Sequence, residues 1–148
     1  MRALVQRVRS GRVTVDGGCI GEIGHGMVIL LGVRDGDTRE EAKLIAEKCA
    51  NLRIFADADG RFDRSLADVA GAALVVSQFT LYGDCRKGRR PNFTRAARPE
   101  IAEPIYEYFV EVLQGLGFRV ETGRFGAMMG VEIRNDGPVT VMVESKDG

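Results

Sequence analysis

The sequence predicts an α/β fold. It reads as one domain, residues 1–148, with a mixed, mostly antiparallel, barrel-like β-sheet core and two main α-helices. Three observations lead there. Alternating runs flank Asp16-Gly17-Gly18, a hairpin signal that demands an antiparallel pair. Two continuous apolar runs, Met27 to Val33 and Ala72 to Val76, suit central strands covered on both faces. Two segments, Arg39 to Asn51 and Pro99 to Gly117, carry apolar residues at helical spacing, and each is placed to cross over between strands.

In chain order, Ala3 to Val8 alternates as a strand does, with Arg7 among its polar positions. Val13-Thr14-Val15 and Cys19 to Ile23 form the arms of the hairpin. His25 sits between glycines in a turn before Met27 to Val33, and Asp35-Gly36-Asp37 closes that strand. Thr38-Arg39-Glu40-Glu41 matches a capping box, with Thr38 at the N-cap and Glu41 reaching back to its amide. Ala42, Ile45, Ala46, Cys49 and Leu52 then fall on one helical face. Ile54-Phe55 reads as a short strand. Asp57-Ala58-Asp59-Gly60 is a turn and not a calcium loop, because Arg61 falls on the third ligand position and Asp68 on the twelfth. Arg61 to Val69 is weakly patterned, a loop or short helix.

Pro99-Glu100 opens the second helix, where proline is tolerated in the first turn. Its expected buried stripe is Ile101, Ile105, Tyr108, Phe109, Val112, Leu113 and Leu116, ended by Gly117. Phe118 to Thr122 and Val131 to Arg134 read as strands, Asn135-Asp136-Gly137-Pro138 as a turn, and Val139 to Glu144 as the last strand. Phe125, Met128 and Met129, between glycines, read first as core packing.

Composition narrows the chemistry. The three cysteines are widely spaced and give neither a disulfide framework nor a zinc site. No apolar run is long enough for a membrane span, and MRALVQRVRS lacks a signal peptide's apolar block, so a cytoplasmic location is expected. Phosphate-loop, zincin, nucleophile-elbow and dinucleotide motifs are absent. Serine–histidine catalysis would have to run through His25, the single histidine, whose default reading is a solvated turn residue. Net charge is zero but uneven: Arg86, Lys87, Arg89, Arg90, Arg95 and Arg98 crowd one stretch with Asp84 alone against them. A local basic patch of this kind fits a polyanion touched at one place.

Two short stretches carry more. After the strand Ala72 to Val76, Ser77-Gln78 puts polar side chains where the core should continue, and an unpartnered buried polar group costs about 1–3 kcal/mol. Either neighbouring backbone caps them as the strand leaves the core, or the strand end lines a cleft with Thr80 and backbone N–H groups facing a substrate. Gly137-Pro138 reads by default as a trans turn, since cis forms are roughly 5–6% of such bonds.

Ser77-Gln78-Phe79-Thr80-Leu81 together with Asn135-Asp136-Gly137-Pro138-Val139-Thr140 resembles the D-aminoacyl-tRNA deacylase (D-tyrosyl-tRNA(Tyr) deacylase) family. The resemblance runs nearly end to end, through Leu4-Val5-Gln6-Arg7-Val8, Arg53-Ile54-Phe55, Arg90-Pro91 and Thr122-Gly123-Arg124-Phe125, with Asn92-Phe93 a mild variation on Ser-Phe. It implies a homodimer with active sites at the subunit interface that hydrolyses the ester joining a D-amino acid, or mischarged glycine, to tRNA. It also implies that a cis Gly137-Pro138 of one subunit enters the other's pocket and excludes L-side chains by its carbonyls, a specificity built as a clash. Arg7 would orient that dipeptide, and Ser77, Gln78, Asn135, Phe125 and Met129 would bind substrate. Backbone N–H groups of Phe79 and Thr80 would hold the ester carbonyl oxygen, while Arg86, Lys87, Arg89 and Arg90 would contact tRNA. No metal or cofactor is implied. The Thr80 hydroxyl looks like a nucleophile, yet no base is placed by motif to activate it, so the terminal 2′-OH of the RNA is the favoured helper for water. Two competing readings are a non-catalytic RNA-binding module using residues 86–98, and a threonine-dependent amidase acting on free D-amino acid derivatives.

Overall fold

The computed structural model describes residues 1–148. Its organising element is β1 (Arg2–Val15), a 14-residue strand. The sequence reads as two strands here, but the ladder continues through Ser10, Gly11 and Arg12. Gly11 lets it pass, because a Cβ there would stand 2.7 Å from Val28 Cγ2. One edge of β1 is shared: its first half pairs with β3 (Gly26–Gly32) and its second half with β2 (Gly18–Ile23), both antiparallel. Its other edge is covered from end to end by β8 (Gly130–Glu144), again antiparallel.

The remaining ladders are parallel. β6 (Ala72–Ser77) lies beside β3, and β7 (Val120–Thr122) lies beside β6. Parallel neighbours need long crossovers, and the helices supply them: α1 (Arg39–Asn51) between β3 and β6, and α2 (Pro99–Gly115) between β6 and β7. The last part of the wall then bends back toward β2, where Arg119 Nη2 donates to the Glu22 carbonyl at 2.9 Å. The six strands form a nearly closed, barrel-like sheet, mixed in direction as the hairpin signal and the two crossover helices predict.

Strand alternation divides the apolar runs between two cores. Val28, Leu30, Leu74 and Val76 point into the barrel with Val8, Val13 and Ile23. Met27, Ile29, Leu31, Ala73 and Val75 point the other way, against Ile45, Cys49, Phe109 and Leu113 of the helices. The capping box of α1 forms as its sequence specifies, with Thr38 N–H donating to Glu41 Oε2 at 2.6 Å and Glu40 N–H to Thr38 Oγ1 at 3.2 Å.

Several expectations are corrected. The buried stripe of α2 is Ala102, Ile105, Tyr106, Phe109, Val110 and Leu113, whereas Ile101 and Leu116 are about half exposed, at 49% and 48%. The face turned because Ala102 and Tyr106 fit close to the sheet, Tyr106 giving its hydroxyl proton to the Val75 carbonyl at 2.8 Å. Arg61 to Val69 is neither plain loop nor helix at its start: β4 (Phe55–Ala56) and β5 (Phe62–Arg64) make a two-stranded hairpin. Asn135 to Pro138 is not a turn between two strands but lies within continuous β8. Beyond Ser77 the chain leaves the strand, as its polar end suggests, and Phe79–Tyr82 form a one-turn 3-10 helix.

Candidate active site

The site begins where β6 stops pairing. Gln78 N–H donates to the Leu31 carbonyl at 2.8 Å, the last bond to β3, and the chain then winds into the 3-10 turn, closed by Gly83 N–H on the Thr80 carbonyl at 2.9 Å. The first N–H groups of any helical turn have no partner within it, and here they belong to Phe79 and Thr80, both exposed. Ser77 and Phe79 line a cavity of about 750 Å³ together with Phe93, Glu103, Phe125 and Met129. Nine of its thirteen lining residues are apolar, a wall suited to an organic group. Behind it Tyr106 supports the Phe125 ring at 5.9 Å between centroids, and burial pushes the Tyr106 phenol well up from its ordinary range. Ser77 lines this cleft, whereas the expected Gln78 and Thr80 are not among its lining residues. Phe125 and Met129 line the cavity, while Met128 stands almost fully exposed at 91%.

No base stands ready beside the Thr80 hydroxyl from the single histidine. His25 precedes the first residue of β3 and packs edge-on against Phe55, with centroids 5.4 Å apart. Thr80 follows the end of β6, which runs parallel to β3 and stops beside its far end, so seven residues at about 3.3 Å each put roughly 20 Å between them.

A second group of expected residues assembles elsewhere on the same chain. Gln6 faces Thr140 and Val8 faces Asn135, so four residues, Asp136 to Val139, stand opposite Arg7 alone. This wide bulge lifts Gly137 and Pro138 out of the sheet, where both are exposed and joined by a cis peptide bond. Asn135 ties its base: its Oδ1 accepts from Val139 N–H at 2.7 Å, and its Nδ2 donates to Thr140 Oγ1 at 2.9 Å. Arg7 holds it to the body of the protein, Nε donating to the Asp136 carbonyl at 2.9 Å and Nη1 to the Ile54 carbonyl at 2.8 Å. The Arg7 guanidinium also lies 5.5 Å from the Phe62 ring centroid. Gly137 has φ +140°, and a Cβ there would meet Val139 Cγ2 at 2.8 Å and Arg7 Nη2 at 3.1 Å. Neither Gly137 nor Pro138 lines the cavity of its own chain.

The arginine-rich loop connects to the cavity mouth through an aromatic pair. Phe93 packs edge-on against Phe79, centroids 5.2 Å apart and planes at 71°. The bridge Asp84–Asn92 closes the loop's base. Arg86 is occupied by Asp84 at 2.6 Å, and this contact pulls the Asp84 carboxyl down to about 2. Lys87, Arg89 and Arg90 stand exposed. Sequence reasoning did not assign Phe93 or Glu103 to the site. Phe93 had a signal, an aromatic among basic residues, whereas Glu103 looks like any solvated helix position.

A family profile described as D-Tyr-tRNA(Tyr) deacylase matches residues 4–144. The chain is 58% identical to a D-aminoacyl-tRNA deacylase of Halalkalibacterium halodurans over 146 residues, covering 99% of this chain and 100% of the relative. It is 63% identical to one from Roseiflexus castenholzii over 145 residues, 98% of this chain and 92% of that protein. Among solved structures, one described as c-Myc DNA unwinding element binding protein superposes with a TM-score of 0.92 at 43% identity, covering 98% and 99% of the two chains. A probable eukaryotic D-amino acid tRNA deacylase shares the fold with a TM-score of 0.84 at 20% identity, over 96% of this chain and 97% of the other.

Proposed function

The chain belongs to the D-Tyr-tRNA(Tyr) deacylase family, and from that premise we propose that it hydrolyses the ester of D-aminoacyl-tRNA and sorts substrates by main-chain geometry. The observation that carries the reading is a separation. The cavity beside the Phe79 and Thr80 amides has no Gly137-Pro138 wall, while that dipeptide is held rigidly and exposed on a bulge. Two copies of the chain complete each other if the bulge of one closes the cavity of its partner, which makes the protein a homodimer.

In that arrangement the carbonyls of Gly137 and Pro138 occupy the space an L-side chain would need. A D-side chain points away from them, and glycine has no side chain to exclude, so both pass. The sorting works by a clash against the wrong substrate and requires no extra grip on the right one. Arg7 contributes rigidity, since two carbonyls on different segments accept from one planar guanidinium. Lys87, Arg89 and Arg90, with Arg86, contact the tRNA phosphates beside the cavity mouth.

Chemistry then needs little from side chains. The Phe79 and Thr80 N–H groups donate to the ester carbonyl oxygen, where charge develops as water attacks. A donor in this role is worth about 2.7–4 kcal/mol of barrier. The 2′-OH of the terminal ribose orients the attacking water. Water oxygen bonds to the carbonyl carbon, the bond from that carbon to the 3′-oxygen breaks, and the water proton ends on the 3′-oxygen, giving free amino acid and tRNA. Deacylation of D-Tyr-tRNA by Thr80→Ala tests the main-chain account. We expect the rate to stay within about tenfold of wild type, since both amide donors remain. Loss to the uncatalysed rate in a folded variant would contradict it. A purely RNA-binding reading accounts for the basic loop but leaves the pinned bulge without a role.

A further inference from the structure

We propose that Glu103 is a substrate-contacting residue that receives the α-ammonium of the aminoacyl ester, an assignment that rests on reading the cavity as the aminoacyl site. Glu103 is the only ionisable side chain among the thirteen lining residues. It lies in the second turn of α2, where a surface glutamate ordinarily pairs with a cation three or four positions away. Its neighbours at those positions are Pro99, Glu100, Tyr106 and Glu107, so its own helix offers no cation. None of the chain's ion pairs includes it.

The placement is costly for a protein that takes up the end of a polyanion. A carboxylate beside the cavity repels the phosphates that the arginine loop attracts, even though its exposure keeps it hydrated. A cationic group on the ligand offsets that repulsion. Of the groups an aminoacylated RNA end brings, the ester, ribose and base are neutral and the phosphates are negative. The α-ammonium alone is positive, and it sits one bond from the carbon next to the ester carbonyl. A carboxylate–ammonium contact is charged on both sides and stronger than one to a hydroxyl or a base amine. The contact also explains why the cavity has a single charged residue in an otherwise apolar lining: one charge orients one end of the substrate.

The test compares two esters that differ only at that group. D-Tyr-tRNA and its deaminated counterpart, which carries an α-hydroxyl in place of the α-ammonium, are hydrolysed by wild type, Glu103→Gln and Glu103→Asp. Glutamine keeps length and helix propensity and removes the charge. Because Glu103 is exposed to solvent, the expected loss in kcat/KM for Glu103→Gln on D-Tyr-tRNA is about tenfold, equal to about 1.4 kcal/mol. On the hydroxy ester the same variant should lose less than about twofold, and Glu103→Asp should recover part of the loss on D-Tyr-tRNA. Equal losses on both esters would place Glu103 at the ribose or base, or in a structural role, and overturn the assignment. No loss on D-Tyr-tRNA would overturn it as well. Should Glu103→Gln fail to fold, wild type supplies the reading: its preference for the amino ester must narrow as salt rises, and a preference that salt leaves unchanged contradicts the contact. A wild type inactive on D-Tyr-tRNA fails the deacylase reading itself, whereas an active wild type with an indifferent Glu103 fails this inference alone.

Discussion

Exchange of Arg7 for lysine would keep the charge and lose the fork. One guanidinium at present spans the Asp136 and Ile54 carbonyls, 2.9 and 2.8 Å away, and so fixes the Gly137-Pro138 bulge to the segment before β4. A single ammonium on a flexible stem cannot reach both in a fixed geometry. The Arg7 side chain is 12% exposed, so losing one of its bonds leaves a carbonyl partly desolvated at a cost of about 1–3 kcal/mol. We expect Arg7→Lys to hydrolyse D-Tyr-tRNA at a rate near wild type while its D-over-L preference falls by about tenfold or more. Parallel rate measurements on D- and L-Tyr-tRNA check this, and an unchanged preference would show that the bulge is held without Arg7. Gly137 works at the same scale. With φ +140° and Val139 and Arg7 within 3.1 Å of a hypothetical Cβ, the position accepts glycine alone without local movement.

Among the elements, α1 shows how far local sequence reaches. Thr38 and Glu41 cap each other's orphan groups, and the contact holds the Glu41 carboxyl below its ordinary range. Thr38→Ala should lower unfolding free energy by about 1 kcal/mol, read as a shift in denaturant midpoint without change in slope. No shift would mean the box adds nothing beyond the packing of Ile45 and Cys49. Helix α1 was legible because its cap and its apolar face lie within one short window. The face of α2 was less so: its true face follows Ala102 and Tyr106, whose fit against the sheet depends on Val75 some thirty positions away. Asn135 to Pro138 misled for a related reason. Gly-Pro chemistry looks like a turn, yet a partner strand 130 residues earlier keeps both flanks paired and converts the turn to a bulge. The site showed the same division. Ser77, Phe79, Phe125 and Met129 were legible through motif and resemblance, whereas Glu103 enters the cavity only through the way α2 packs.

For the whole molecule, the position of β1 is decisive, because it carries three ladders and places the cavity and the bulge on different parts of one sheet. On the proposed reading, the end of β6 is one half-site and the bulge of β8 is the other, and dimerisation would join them in trans. Mixed dimers test that claim directly. One copy carries Ala127→Trp, which fills the cavity from a loop position lining it. The other carries Gly137→Ala, which alters the bulge and leaves the cavity open. In the mixed dimer the only open cavity faces the intact Gly137-Pro138 of its partner. The quantity to measure is the ratio of D-Tyr-tRNA to L-Tyr-tRNA hydrolysis by that species. Sorting in trans predicts the wild-type ratio; a ratio as low as that of the Gly137→Ala homodimer, or a protein that runs as a monomer while still discriminating, would contradict it.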